Sequence, residues 1–179
     1  MMEGAPETLV VEGYQARRDG RLEDAKRSFA AAIDLCRPAG SSALLVRALT
    51  GLGQIERDTG NLHEALRLYL EAVALCRTLG DPFRLAHTIR HQGDILRNQE
   101  QFELAEPCYI EALAIYRSHE QSSAGDVANA LRGFALVKTA TGANEEARQL
   151  WLEARELYAQ AGVEAGVLEC ETQMARLTR

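Results

Sequence analysis

At 179 residues, with a net charge of −6 and only 6% aromatic residues, the chain has the length of one domain and could bury roughly 70% of its unfolded surface. The acidic balance disfavours a nucleic-acid role for the whole chain, because phosphate binding asks for a basic face. No apolar run approaches the ~20 residues that span a bilayer. The stretch Met1-Met2-Glu3-Gly4-Ala5-Pro6-Glu7 has neither the basic region nor the apolar core of an export signal, so the expectation is a cytoplasmic protein whose four cysteines stay reduced.

Taken in chain order, apolar residues at helical spacing predict helices near 5–18, 21–37, 42–59, 61–79, 82–99, 101–118, 124–141, 143–161 and 163–178. Glycines punctuate them. Gly60 has the character of a helix C-terminal residue with positive φ, and Asn61 is placed to cap the next helix. In Gly80-Asp81-Pro82 one helix closes and another opens, with Asp81 as N-cap and Pro82 at the first helical position. The longest connection is 118–125, where the highest local mobility is expected.

Within this order one block recurs. Gly60, Ala65, Tyr69, Ala72, Leu75 and Cys76 are matched 40 residues earlier by Gly20, Ala25, Phe29, Ala32, Leu35 and Cys36. Forty residues later come Glu100, Ala105, Tyr109, Ala112, Ile115 and Tyr116, and a step of 42 then gives Gly142, Ala147, Trp151, Ala154, Leu157 and Tyr158. A fixed period in this range marks stacked repeats, which more often build binding surfaces than reaction centres. Gly53, Gly93 and Ala135 are expected where paired helices meet at Ala65, Ala105 and Ala147, with Phe29, Tyr69, Tyr109 and Trp151 filling the space between units. The last segment has no partner and reads as a cap, with Leu168, Ala175 and Leu177 inward and Glu164, Glu169, Glu171 and Arg176 in water.

The Ala65, Tyr69, Ala72 set and the Leu52-Gly53 pair resemble the tetratricopeptide repeat (TPR) over residues 5 to 179. The ~40-residue period resembles its extended-helix variant, found in kinesin light chains and bacterial regulators, and Ala105 to Tyr116, with Pro107 just inside its helix, is close to the kinesin light chain style. The resemblance implies an all-α, right-handed α-solenoid of four TPR-like helix pairs plus a C-terminal capping helix. It would form one domain over 5–179, with repeats at about 5–40, 41–80, 81–122 and 123–162 and the cap at 163–178.

In this family the first helix of each pair lines the concave groove. Helix geometry then places Arg47, Gln54 and Arg57 from the second pair there, with Thr50. His87, Arg90, His91, Asp94 and Arg97 come from the third pair, and Asn129, Arg132 and Leu136 from the fourth, with Tyr14 and Arg17 contributing from the first. Arginine forks bind carboxylates bidentately, so an acidic peptide or partner helix is the natural complement. The alternative is that these arginines pair with Glu56, Asp58 and Asp94 and merely keep the face soluble. Arg90→Glu with Arg132→Glu is expected to abolish partner binding while leaving helicity and melting temperature unchanged.

Other functions are weighed against the residues. The chaperone-tail clamp of this family would need Lys, Asn, Asn, Lys and Arg where Val10, Tyr14, Gly51, His87 and His91 stand, and one unit later Thr50, Gln54, His91, Asn129 and Gly133 fail as well. His87, His91 and Asp94 have the spacing of a two-His, one-carboxylate metal site, but Arg90 and Arg97 would repel a cation, and a proton-sensitive ligand contact is preferred. Cys36 and Cys76 are repeat-equivalent core positions, and Cys108 and Cys170 are isolated. The reading is therefore a scaffold or adaptor and not an enzyme, with no cofactor and no metal, monomeric or weakly dimeric, meeting neither nucleic acid nor membrane. The alternatives are a self-associating or ligand-free scaffold, and the regulatory subunit of a separate bacterial effector.

Overall fold

The computed structural model describes residues 5–40, 42–119 and 122–177, and every regular element among them is an α-helix. They are α1 (Pro6–Arg18), α2 (Leu22–Ala39), α3 (Ser42–Asp58), α4 (Leu62–Leu79), α5 (Pro82–Asn98), α6 (Phe102–Ser118), α7 (Ala124–Ala140), α8 (Asn144–Gln160) and α9 (Glu164–Leu177). Each lies within two residues of the range its apolar periodicity predicts. No helix among the described residues is long and apolar enough to cross a membrane. The connection at 118–125 includes residues 120 and 121, so the mobility expected there falls partly outside the described residues.

The chain divides into two compact units, Met1–Pro82 and Phe83–Arg179. The division falls between the second and third repeats. Consecutive helices pack in pairs, as in an α-solenoid: α1 on α2 and α3 on α4 in the first unit, α7 on α8 in the second, with α9 packed on α8.

The turns inside the pairs and the turn from α8 into α9 share one hydrogen-bond pattern. The amides of Arg21, Asn61, Gln101, Ala143 and Val163 donate to the carbonyls of Ala16, Glu56, Leu96, Lys138 and Tyr158, five residues back, at 2.7–2.9 Å. This closure puts the preceding residue in the left-handed region and satisfies a carbonyl the helix end would orphan. Gly20, Gly60 and Gly142 take that position with φ of 75°, 84° and 78°, and Glu100 takes it at 59°, the one positive-φ non-glycine residue among those described. Asn61 does not cap α4 with its side chain. Its amide donates instead to Glu56 Oε2 at 2.9 Å, and Glu56 is also held by Lys26 at 3.0 Å. Pro107 is the sixth residue of α6.

Large rings and missing side chains make the core. In the first unit the Phe29 ring is wedged between Gly13 of its own pair and Gly51 of the next; a Cβ at either position would collide with it. In the second unit Tyr109 lies between Gly133, where a Cβ would collide with its ring, and Gly93, where a Cβ would be tight against it. Rings therefore bridge successive pairs, as the repeat pattern predicts. The nearest neighbours of Gly53 are the Tyr69 ring and the Leu68 Cβ, and those of Gly93 are the Cys108 Cβ and the Tyr109 ring. Removing a side chain lets a fully buried ring enter where two helices would otherwise touch.

The face of α9 also differs from the expectation. Its buried residues are Gly166 and Cys170, with Gly166 against the Tyr158 ring, while Leu168 is 66% exposed. The need for a side-chain-free position over Tyr158 sets the rotation of the helix. Leu168 and Ala175 therefore turn to solvent, and Glu169 turns toward α7.

Candidate interaction site on the first helices

In the first unit, Arg47, Gln54 and Arg57 lie half-buried along α3. Arg57 grips Asp58 Oδ1 through Nε and Nη2 at 3.0 and 2.8 Å, and Arg17 of α1 reaches Asp58 Oδ2 at 3.2 Å. Thr50 is buried and spends its hydroxyl on the Val46 carbonyl at 2.9 Å. Tyr14 sets its ring edge-on to Phe29, with centroids 5.0 Å apart, and donates to the Arg47 carbonyl at 3.0 Å.

In the second unit, α5 carries a compact polar cluster centred on Asp94. Oδ2 takes Arg90 Nη1 at 3.1 Å and lies 3.3 Å from His91 Nδ1. Oδ1 accepts from the Tyr109 hydroxyl at 2.8 Å, with Arg97 Nη1 3.9 Å away. Arg90 Nη2 meets His91 Nε2 at 2.8 Å. An arginine only donates, so in this hydrogen bond His91 Nε2 is the acceptor, with Nδ1 turned to Asp94. Both ring nitrogens that metal coordination would use are therefore engaged within the chain. Burial alone would raise the Asp94 carboxyl, but the His91 hydrogen bond and the Arg90 and Arg97 charges outweigh it and hold it well below the usual carboxylate range.

His87 sets its ring edge-on to His91 at 4.7 Å. Burial, followed by the neighbouring His91 and Arg90, pushes its pKa down to about 3. It does not titrate near neutral pH, which corrects the expectation of a proton-sensitive contact. The physical reason is that a half-closed pocket already holding a guanidinium is a poor place for a second cation.

The α7 residues are less enclosed. Arg132 Nε donates to Glu169 Oε2 of α9 at 2.7 Å, with the two side chains 37% and 33% exposed. Asn129 is exposed and accepts the Tyr158 hydroxyl at 2.8 Å, and burial pushes that phenol up to about 12. Leu136 is half-buried.

Three side chains reach this face that periodicity does not place there. The rings of Tyr109 and Tyr158 are buried, but their hydroxyls bond to Asp94 and Asn129. Glu169, expected in water, bonds to Arg132. Periodicity reports which face a Cα belongs to, and it carries no signal for the tip of a long side chain.

The description of the MalT-like TPR region matches residues 5–178. The chain belongs to that family. TPR geometry accounts for the helix pairs, the ring-bearing second helices and the polar first helices described above. The chain is also similar in structure to the apo form of RapI, with a TM-score of 0.82 at 14% sequence identity, over 88% of this chain and 57% of that one. It is similar to BtubC (BKLC) from P. vanneervenii, with a TM-score of 0.58 at 16% identity, over 98% of this chain and 91% of that one. At such identities the likeness is one of fold. No curated protein matches the sequence.

Proposed function

We propose that this TPR chain is a protein-interaction module, not an enzyme, and that the first helices of its second unit receive an acidic peptide or partner helix. One observation carries the reading. Arg90 and Arg97 share a single carboxylate, Asp94. Two guanidiniums against one carboxylate leave a positive surplus on this face, and a carboxylate-bearing partner complements it. Arg132 and Asn129 of α7 would hold the partner's further acidic and backbone groups. Leu136 offers an apolar contact, and Arg47, Gln54 and Arg57 would play the same part in the first unit.

A ligand-free scaffold is the second reading. It is favoured by the carboxylates that the chain itself supplies to Arg17, Arg57, Arg90 and Arg132.

Selection from a random displayed-peptide library separates the two. The interaction module enriches sequences rich in Asp and Glu, and their binding is lost in Arg132→Glu while helicity and melting temperature stay at wild-type values. A selection without acidic enrichment, or acidic peptides that bind Arg132→Glu undiminished, would overturn the proposal.

A further inference from the structure

Two carboxylates already occupy the arginines of the second unit, and they are not equivalent. Asp94 is 13% exposed and faces four donors, from Arg90, His91, Tyr109 and, at 3.9 Å, Arg97. It is part of the interior, and removing it would orphan several buried groups. Glu169 is 33% exposed and makes one hydrogen bond, to Arg132 Nε, whose own side chain is 37% exposed. Exposed single ion pairs contribute little to stability, so this contact opens at small cost. Glu169 also differs in origin. It belongs to α9, which lacks a partner helix of its own among those described, and it reaches back to α7 across the face where the acidic partner is proposed to lie.

We propose that Glu169 is an internal competitor: a carboxylate of the terminal helix that stands in for the partner's acidic group at Arg132 and must be displaced when the partner binds. The inference rests on the acidic-ligand reading above. Its consequence is a built-in attenuation of affinity. A ligand carboxylate exchanges with Glu169 rather than meeting an open guanidinium, and the geometry of α9 decides how strongly the competitor is held. Gly166 and Cys170 seat α9 against α8, which sets the reach of Glu169.

The test uses the full chain and a capped hexaglutamate peptide, with binding followed by calorimetry at low ionic strength. Glu169→Gln keeps the side-chain shape and removes the competing charge. It should bind the peptide about threefold to fivefold more tightly than wild type, the span open to an exposed ion pair. Glu171→Gln, on the same helix, makes the same change in net charge at a residue that faces Arg155 at 3.6 Å, and should gain distinctly less. In a ¹⁵N spectrum the Arg132 Nε–H resonance should move on peptide addition to wild type. If wild type binds and Glu169→Gln gains nothing, or gains no more than Glu171→Gln, the competitor role is overturned while the acidic-ligand reading stands. If neither wild type nor Glu169→Gln binds, both are overturned.

Discussion

The Tyr109 hydroxyl of α6 donates to Asp94 Oδ1 of α5 at 2.8 Å, while the Tyr109 ring lies between Gly93 and Gly133. One residue thus joins the packing of two helix pairs to the charge cluster of the candidate site, so packing and electrostatics can be separated by substitution. Tyr109→Phe keeps the ring and removes a donor to a buried carboxylate, and should cost about 1.5–3 kcal/mol in urea unfolding. Tyr158→Phe gives up a bond to the exposed Asn129, and about 1 kcal/mol is expected. Tyr116→Phe removes a buried hydroxyl that makes no well-formed hydrogen bond among the described residues and meets only the Arg90 guanidinium, and should cost less than either, within about 1 kcal/mol.

Gly133→Ala places a Cβ on the Tyr109 ring, within 3 Å of its atoms, and the ring is packed on its other side against Gly93 of α5. Overpacking of this kind costs about 1–3 kcal/mol. Combining it with Tyr109→Leu should recover part of that loss, and a strictly additive double variant in thermal unfolding would show that the two positions do not share the space.

Glu100 holds the left-handed position that glycine holds at Gly20, Gly60 and Gly142. A side chain there costs about 1 kcal/mol relative to glycine. Glu100→Gly should raise stability by about 0.5–1 kcal/mol, read from the denaturation midpoint, even though glycine adds chain entropy to the unfolded state.

Arg90 and Arg132 answer differently to charge reversal. Arg90 is 12% exposed, bonded to Asp94 and His91. Arg90→Glu would set a second carboxylate beside Asp94 and should destabilise by about 3–5 kcal/mol. The structure thus argues against the expectation that an Arg90→Glu, Arg132→Glu variant keeps its melting temperature. Arg132→Gln, at a half-exposed position, should stay within about 1 kcal/mol of wild type in the same assay.

His87 gives the protein an acid-side slope. Its folded pKa of about 3 lies below its unfolded value of 6.5, so the unfolded chain binds the extra proton and stability falls as pH drops from about 6.5 toward 3. Burial is the largest cause of this shift, His91 and Arg90 add to it, and Asp126 and Asp94 oppose it. At pH 5 the loss from this group is about 2 kcal/mol relative to neutral pH. Asp94 acts with the same sign in a lower window: its stabilisation is full above about pH 5 and is lost as pH falls toward its depressed folded value. Unfolding at pH 7.5 and pH 5 should show a smaller pH penalty in His87→Asn than in wild type; equal penalties would refute the assignment.

The amino-acid sequence by itself determined the helices, their pairing and the family. A 40-residue recurrence of Ala65, Tyr69 and Ala72 with glycines between helices is a local pattern, and helix formation and turn closure are local events. It also placed Arg90, Asp94 and Arg132 on first helices, because helical geometry fixes which face a Cα presents. Only the tertiary structure decided what those side chains do. Asp94 became the hub because α6 delivers a hydroxyl to it. His87 lost its neutral-range titration because neighbouring helices close over it. Glu169 met Arg132 because Gly166 must sit on Tyr158, which turns α9. Those outcomes depend on distances between helices and on the dielectric around each charge, and both exist only once the helices are packed.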